Sequence, residues 1–360
     1  MLEIQCSGSP FEIGFTHGHA ARDQVRGSIA FYKDLFQVKC SMGWEQVTAE
    51  ANKYVEPLEK TCSRYIEEIR GLAEGVGSPV SFLDILALNV RTEIMFGLFT
   101  DPQTPQHADV PSDGCTSLSW VDGSGTSFLA QNWDWQKGQG RNLIVCHINP
   151  KPGSGIPNLA MVTEAGIIGK IGLNTRGVGC CLNAIRARGV DRTKLPVHFA
   201  LRTILESASR EEAVGRLEAS GIAGSAHILL GDESGAVGLE CTPFGTREIP
   251  MDLQGRVFHT NHLVLEHAGV DEPPWLDDSL KRLARIKTLA DATLFPGAGI
   301  QEILGMLKDE ENCPCSINRR QLDVSTFETL FSIVMDLTKR EALVKLGRPS
   351  ESGDEIRLVL

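Results

Sequence analysis

The chain has 360 residues, of which 42% are hydrophobic and 22% are charged. This balance excludes a disordered chain and fits either two globular domains or one large layered domain. The 35 Lys and Arg residues against 46 Asp and Glu residues give a net charge of −11. Because no local basic patch compensates this charge, we expect no binding to nucleic acid or to an anionic membrane surface.

The N-terminal sequence MLEIQCSGSPFEIG has neither a basic lead nor a long apolar core, so it is unlike a secretory signal. No run reaches the roughly 18 apolar residues of a membrane span. We therefore expect an intracellular, cytoplasmic protein that is not embedded in a membrane.

The cysteines and histidines give little support for a metal site. The chain has 10 cysteines but no CxxC motif, and an intracellular chain of this size needs no disulfide. Most of these thiols are interpreted as small buried hydrophobic groups. The pairs His17/His19 in THGH and His259/His262 in HTNH are interpreted as structural histidines, with a metal pair as the weaker alternative. We predict that no metal is bound.

The first third of the chain predicts helices. Seven residues recur at steps of three or four and form an apolar stripe on one helix face. Gly71 and Gly75 are expected to loosen the end of this helix. Ser81 is expected to cap a second helix, Phe82–Met95, with Asp84 at its third position. The stripe consists of Val47, Ala51, Val55, Leu58, Cys62, Ile66 and Ile69.

The pattern changes near residue 100. The segment 101–114, DPQTPQHADVPSDG, predicts an exposed, mobile loop that suits a backbone cut. Beyond it, short apolar runs predict strands, with helices at 198–217 and 276–290 and a hairpin near the end. Helices first and antiparallel strands later indicate an α+β layered fold. The predicted strands are CTSLSWV, SFLAQNW, NLIVCHIN, LAMVTEAG, VGCCLNAI, AHILLGD, AVGLECT, RVFHTNHLVL, FSIVMDL and EALVKLG.

Cys115 is the candidate nucleophile. The sequence has no GxxxxGK(S/T) loop, no strand–GxGxxG–helix unit and no GxSxG elbow, which argues against nucleotide chemistry and a serine elbow. Cys115 follows Gly114 where the Pro-rich loop meets the first predicted strand, and glycine permits strained backbone there. A Cys115 thiolate can attack the Gly114 carbonyl, form a thioester and release two chains on hydrolysis. Position alone leaves a buried strand cysteine as the alternative.

The motif QNWD ends in Asp134, 19 residues after Cys115. A turn at residues 122–125 predicts a hairpin that returns Asp134 beside Cys115. A carboxylate there can hold the freed α-amino group of Cys115 by a charge-assisted hydrogen bond. That amine has a reference pKa of roughly 8, so it can act as the base for its own thiol without a separate histidine.

Asn183 in CCLNAI and Asn261 in FHTNH complete the candidate site. Each lies at or just after an apolar run, where its side-chain amide can point into a pocket. An amide N–H group suits an oxyanion donor, a role worth roughly 3 kcal/mol per donor. A turn residue is the alternative for each of them.

Together these residues resemble the acyl-coenzyme A:6-aminopenicillanic acid acyltransferase (isopenicillin N acyltransferase) family of the N-terminal-nucleophile superfamily. The resemblance runs along nearly the whole chain, and DGCT followed by QNWD is its specific part. The motifs that carry it are PFEIGFTHG, YIEEIRGLAEG, LNVRTE, DGCTS, QNWDW, VTEAGIIGKIGLN, HTNH and KLGRP.

The resemblance implies a four-layer αββα fold and a precursor that cuts itself before the cysteine. Residues 1–114 would then form a helical part and residues 115–360 a β-rich catalytic part, both within one αββα unit. Cys115 matches the family nucleophile and Asp134 its acidic partner. The further matches are Asn261 with the oxyanion Asn, Asn183 with a site Asn of the wider superfamily, and Thr242 with a Ser.

Two features depart from the family pattern. Where the family has a Ser-Arg pair near its site, this chain has Ser325 and Thr326, so Arg319 or Arg320 is the candidate substitute for binding substrate. The chain ends in LVL and lacks the peroxisomal tripeptide of the family. A cytoplasmic location is therefore expected, with the peroxisome as the family's alternative.

The resemblance implies a ping-pong acyltransferase without a permanently bound cofactor. Cys115 would take an acyl group from a thioester such as acyl-coenzyme A, or from an amide, and pass it to a small-molecule amine. The two fragments of the cut chain would remain partners. The alternatives are an amidase of the same fold, in which water takes the acyl group, and a catalytically silent scaffold.

Overall fold

The computed structural model describes residues 1–98, 114–273, 276–293, 299–322 and 327–360. The predicted Pro-rich loop lies outside these residues except for Gly114. Ser325 and Thr326 also lie outside them.

Two stacked β-sheets form the centre of the fold. The strands are β1 (Leu2–Gly8), β2 (Gly114–Val121), β3 (Ser127–Gln136), β4 (Leu143–Pro150), β5 (Leu159–Glu164), β6 (Ile171–Asn174), β7 (Gly179–Ala184), β8 (Ala226–Asp232), β9 (Gly235–Thr242), β10 (Gly245–Pro250), β11 (Arg256–His259), β12 (Phe327–Asp336), β13 (Glu341–Leu346) and β14 (Glu355–Val359). The eight-stranded sheet has the order β1-β4-β5-β6-β7-β8-β9-β10, and the six-stranded sheet has the order β11-β2-β3-β12-β13-β14. The β1–β4 pair is parallel, and the other named pairs are antiparallel.

Helices cover the outer face of each sheet. They are α1 (Pro10–Ala20), α2 (Arg22–Cys40), α3 (Trp44–Asn52), α4 (Val55–Thr61), α5 (Ser63–Val76), α6 (Phe82–Asn89), α7 (Val197–Leu205), α8 (Arg210–Ser220), α9 (Asp278–Ala292) and α10 (Ile300–Leu307). Helices α1, α2, α7 and α8 contact the eight-stranded sheet, whereas α9 and α10 contact the six-stranded sheet. The predicted α+β fold with four αββα layers is confirmed.

Two hydrophobic cores hold these layers together. The larger core fills the space between the sheets and under α1–α8. The smaller core lies between the six-stranded sheet and the helices α9 and α10, where Leu118 and Phe128 of the sheet meet Leu283 and Leu304 of the helices. No helix among the described ranges is long and apolar enough to cross a membrane.

The apolar stripe from Val47 to Ile69 does not form one helix, so the prediction of a single continuous helix is wrong. The structure has α3, α4 and α5 in its place. Pro57 lies in the first turn of α4 and has no N–H group to donate to the Lys53 carbonyl, so a continuous helix cannot pass this point. A second break occurs at Cys62, whose φ of −138° and ψ of 37° are not helical.

Gly71 and Gly75 do not loosen a helix end, because both lie inside α5. A Cβ atom on Gly71 would lie 2.1 Å from the backbone oxygen of Phe11, and one on Gly75 would lie 2.1 Å from that of Phe15. These glycines therefore let α1 and α5 approach until their backbones touch.

The predicted cap of the next helix is confirmed. The Ser81 side chain accepts a hydrogen bond from the Asp84 N–H at 3.3 Å, and the Asp84 carboxylate accepts one from the Ser81 N–H at 2.8 Å. Helix α6 ends at Asn89, however, and a π-helical turn, Glu93–Leu98, follows instead of a helix continuing to Met95.

The later predicted helices and strands need two corrections. The predicted helix 198–217 is two helices, because Ser209 caps α8 by accepting a hydrogen bond from the Glu212 N–H at 3.1 Å. The run RVFHTNHLVL forms a strand only over Arg256–His259. Helix α9 matches the predicted helix 276–290, and β12 with β13 forms the predicted C-terminal hairpin.

Candidate active site

The predicted hairpin that joins Cys115 and Asp134 is present as β2 and β3. Gly114 pairs with Asp134, and Cys115 pairs with Trp133. The Asp122 carboxylate fixes the turn by accepting hydrogen bonds from the backbone of the turn residues. Because side chains alternate along a strand, Cys115 and Trp133 point towards the other sheet, and the Asp134 carboxylate points towards α9.

The backbone of Cys115 is held on both sides of its Cα atom. Its N–H group donates to Oδ1 of Asn261 at 2.7 Å, and its carbonyl accepts from Nη1 of Arg282 at 2.7 Å. Nη2 of Arg282 also donates to Oδ1 of Asn261 at 3.0 Å. Asp278 fixes this guanidinium by accepting from Nε at 2.7 Å. Since Gly114 and Cys115 are consecutive in β2, this is the geometry of the uncut chain.

The thiol side of Cys115 borders a small pocket between the two sheets. Cys115 itself is 2% exposed. The cavity has a volume of about 20 Å³, enough for about one water molecule. Its walls are mainly apolar and aromatic, with two cations and a hydroxyl among them. The lining residues are Arg91, Thr92, Phe96, Cys115, Trp133, Trp135, Lys170, Leu182 and Ala184.

The two cations of this pocket share one buried carboxylate. Glu164 accepts hydrogen bonds from Arg91 at 2.7 Å and from Lys170 at 2.8 Å, and from the Tyr32 hydroxyl. The Lys170 ammonium lies 4.6 Å from the centre of the Trp133 ring. Burial lowers the pKa of Lys170, although the Glu164 charge opposes this shift.

Asp134 belongs to a second buried network on the outer face of β3. Its Oδ1 accepts a hydrogen bond from the Thr329 hydroxyl at 2.7 Å, and its Oδ2 lies 3.7 Å from Nε of Arg319. Burial raises the pKa of Asp134 to about 7, and the nearby charges of Arg319 and Arg282 oppose this shift. Asp134 therefore lies next to the Gly114–Cys115 bond through its backbone pairing, while its carboxylate holds Arg319.

Arg319 lies against Gly114 and is completely buried. Its Nη2 donates to Asp278. A Cβ atom added to Gly114 would lie 2.8 Å from Nη2 and 2.9 Å from Nε of Arg319. The structure thus places the candidate substrate-binding Arg319 at the predicted cleavage site, between the carboxylates of Asp134 and Asp278.

Asn183 lies on β7 and its side chain is buried against Ser117 of β2. Its Oδ1 accepts hydrogen bonds from the Ser117 hydroxyl at 2.6 Å and from Nδ1 of His227 at 3.0 Å. The neighbouring residue, Ala184, accepts a hydrogen bond from Nδ2 of Asn261 at 3.1 Å. Asn261 thus contacts Cys115 directly, whereas Asn183 contacts Ser117, two residues further along β2, and is not among the residues that line the Cys115 pocket.

Two other predicted binding residues lie elsewhere. Thr242 ends β9, where its hydroxyl donates to the Gly245 carbonyl at 2.9 Å and accepts from the Phe244 N–H at 3.2 Å, and it is not among the residues that line the Cys115 pocket. Arg320 lies at the surface and donates to Glu351 at 3.4 Å.

The histidine pairs singled out in the sequence have hydrogen-bond partners within the fold. His17 accepts from the Gly166 N–H at 3.1 Å. His259 bonds to Glu240 at 2.9 Å, and His262 bonds to Ser279 at 2.7 Å. Within the described ranges, no group of three or more His, Cys, Asp and Glu residues is arranged to hold a metal ion.

Sequence reasoning did not select several charged and polar residues of this site. Glu164 and Lys170 lie six residues apart within VTEAGIIGK, a motif that was noticed only as part of the resemblance. Arg91 lies in LNVRTE, another motif of the resemblance. The others, Asp278, Arg282 and Thr329, approach Cys115 or Asp134 only through tertiary packing, and no local pattern marks them.

Comparison with known proteins shows the family. A family profile described as "Acyl-coenzyme A:6-aminopenicillanic acid acyl-transferase" matches residues 120–351. The chain is 36% identical over 358 residues to the "Acyl-coenzyme A:6-aminopenicillanic-acid-acyltransferase 40 kDa form" of Emericella nidulans, covering 98% of this chain and 95% of that protein. The chain belongs to this acyltransferase family. Membership supports an enzyme of the acyltransferase type.

Solved structures of similar fold include penicillin V acylase from Agrobacterium tumefaciens, at 14% identity and a TM-score of 0.44, covering 68% of this chain and 86% of that chain. A variant of conjugated bile acid hydrolase from Clostridium perfringens is 13% identical with a TM-score of 0.49, covering 68% of this chain and 92% of that chain.

Proposed function

We propose that this protein is a self-processing acyltransferase in which Cys115 moves an acyl group from a thioester such as acyl-coenzyme A, or from an amide, to a small-molecule amine. The observation that carries this proposal is the setting of Cys115. Asn261 and Arg282 fix its backbone at 2.7 Å each, and its thiol side borders a small, largely apolar pocket. Family membership supports the same class of activity.

The first step is cleavage of the chain. The Cys115 thiolate attacks the Gly114 carbonyl carbon, the bond from that carbon to the Cys115 nitrogen breaks, and the nitrogen takes up a proton. The resulting thioester is hydrolysed by water to a Gly114 carboxylate and a free thiol. The products are residues 1–114 and 115–360. The parallel pairing of β1 with β4 supports their staying together as one αββα unit.

The freed amine of Cys115 then serves as the base for its own thiol. In the uncut chain this nitrogen already donates to Oδ1 of Asn261. Asp134 pairs with Gly114 across the hairpin, so departure of Gly114 opens the space between the amine and Asp134. A carboxylate that holds the ammonium form completes the role predicted for Asp134.

Acyl transfer follows as a ping-pong reaction. The thiolate of Cys115 attacks the thioester carbonyl, coenzyme A leaves as its thiol, and an amine then attacks the acyl-enzyme to form an amide. Side-chain N–H groups of Asn183 and Asn261 stabilise the oxyanion of each tetrahedral intermediate. Coenzyme A thioesters are therefore co-substrates.

Mass spectrometry of products tests this function. The mature protein is incubated with a mixture of acyl-coenzyme A thioesters, with and without candidate amines, and Cys115→Ala serves as the control. We expect amides that form only with the wild-type protein and an amine. Free acid at the same rate with and without amines would instead identify a hydrolase, in which water takes the acyl group, and an intact, inactive chain would identify a scaffold.

A further inference from the structure

Asn183 and His227 form a directly opposed pair on the antiparallel strands β7 and β8. Both side chains are fully buried between the sheets. Oδ1 of Asn183 accepts from Nδ1 of His227 at 3.0 Å and from the Ser117 hydroxyl at 2.6 Å. A carboxamide oxygen has two lone pairs, so these two donors occupy both of them.

This arrangement determines the direction of the other half of the Asn183 amide. With its oxygen fixed by two donors, Nδ2 must point away from Ser117 and His227. Nδ2 is buried and has no hydrogen-bond partner within the described residues. A buried donor without a partner costs about 1–3 kcal/mol. A substrate or reaction intermediate that accepts a hydrogen bond from Nδ2 would account for this unpartnered donor.

The Asn183 carboxamide contacts the strand that carries the nucleophile. Ser117 is two residues beyond Cys115 on β2, so the two side chains share one face of the strand and are separated by one strand repeat. Asn183, which accepts from the Ser117 hydroxyl, therefore meets β2 on the face that carries the Cys115 side chain, one strand repeat along.

His227 is itself fixed by its neighbours. Its ring stacks on the His259 ring with a centroid distance of 3.5 Å, and His259 bonds to Glu240 at 2.9 Å. A Cβ atom on Gly238 would lie 2.7 Å from Nε2 of His227, so the ring also packs closely against β9. This packing leaves the imidazole no room to turn away from Asn183.

We propose that His227 and Ser117 are positioning residues that hold the Asn183 carboxamide so that its Nδ2 donates a hydrogen bond to the oxyanion. This inference rests on the proposed function, because it adds the residues that orient one of its oxyanion donors. It assigns a role in catalysis to two polar groups that do not touch the substrate.

A double-mutant cycle tests the inference. Ser117→Ala and His227→Leu each remove one donor to Oδ1 of Asn183, and both are made alone and together with Asn183→Ala. We expect each single change to lower kcat roughly tenfold with KM within about twofold, and to have no further effect when Asn183 is already Ala. The same fold loss in both backgrounds would overturn the inference, because the residues would then act independently of Asn183.

Ser119→Ala is the matched control. Ser119 lies two residues further along β2, and its hydroxyl accepts from the Val257 N–H at 3.0 Å rather than bonding to Asn183. We expect kcat of this variant to stay near that of the wild type. An equal loss of kcat in Ser119→Ala would show that any polar deletion between the sheets has this effect, and would overturn the inference.

A wild-type protein without acyl turnover would contradict the proposed function alone. Crystal structures of Ser117→Ala and His227→Leu would then still test the inference. We expect the Asn183 carboxamide to rotate or to occupy two orientations in these variants. An Asn183 amide that keeps its orientation in both would overturn the positioning role. If His227→Leu does not fold, Ser117→Ala provides both readouts.

Discussion

Replacing Gly114 with Ala tests whether Arg319 is held against the scissile bond. The added Cβ atom would lie 2.8 Å from Nη2, 2.9 Å from Nε and 3.1 Å from Cζ of Arg319, all shorter than a normal van der Waals contact. Arg319 has little freedom to withdraw, because its guanidinium is buried and paired with Asp278 and Asp134. Either the β2 strand or the buried ion-pair network must shift.

The cost follows from these contacts. Overpacking of a buried position costs about 1–3 kcal/mol, and loosening a buried ion pair adds to this. We therefore expect Gly114→Ala to lower the free energy of unfolding of the uncut chain by about 2–4 kcal/mol. Each 1.36 kcal/mol added to the activation free energy slows a reaction tenfold. If the shifted strand or ion-pair network raises this barrier by a similar amount, self-cleavage should slow at least about tenfold.

Stability is compared by urea unfolding in a Cys115→Ala background, so that both proteins remain uncut. Cleavage is followed over time in the chain with its native cysteine. Gly305→Ala in α10 is the matched control, since a Cβ atom there meets no atom within 4 Å, and alanine should stabilise the helix by about 0.5–1 kcal/mol. If Gly114→Ala matched the wild type in both stability and cleavage, the close approach of Arg319 to Gly114 would be refuted.

Three further predictions concern the site and its surroundings. Asn261→Ala should fold but lower turnover about 10²–10³-fold, and a lowered thermal midpoint with unchanged turnover would make Asn261 structural. Burial raises the pKa of Glu93 to about 7, so its native carboxyl binds a proton more tightly than the unfolded one and its stabilising contribution is lost as pH rises. Between pH 4.5 and 7 the free energy of unfolding of the wild type should therefore fall by about 3 kcal/mol relative to that of Glu93→Gln, and parallel urea-unfolding profiles of the two proteins over that range would contradict this. Because Arg319 is paired with carboxylates, 6-aminopenicillanic acid should be a poor acceptor compared with amines that lack a carboxylate, and efficient use in a side-by-side acceptor series would contradict this.

The sheet core of the fold was predictable because its strands are short, apolar and separated by turn residues. The same hairpin pattern placed Asp134 opposite Gly114, next to Cys115. The helical third was less predictable, since apolar periodicity continues across Pro57 although the helix cannot. The prediction for Gly71 and Gly75 of α5 is wrong because these glycines contact α1, which is distant in sequence.

The polar network around Cys115 was only partly predictable for the same reason. Asn183 lies within an apolar strand and Asn261 just after one, so the local pattern pointed to both. Arg282 lies on α9 and reaches the Cys115 carbonyl across the fold, and nothing in its neighbouring sequence marks this contact. Residues whose function depends on packing between layers require the structure.

Intact-mass measurement of the purified protein tests the central claim most directly. The wild-type chain and Cys115→Ala are expressed in parallel, and each is analysed after denaturation. Self-cleavage by Cys115 predicts two wild-type fragments, of residues 1–114 and 115–360, and a single chain of 360 residues for the variant. Cleavage of Cys115→Ala at the same bond, or a wild-type chain that stays whole on prolonged incubation, would contradict it.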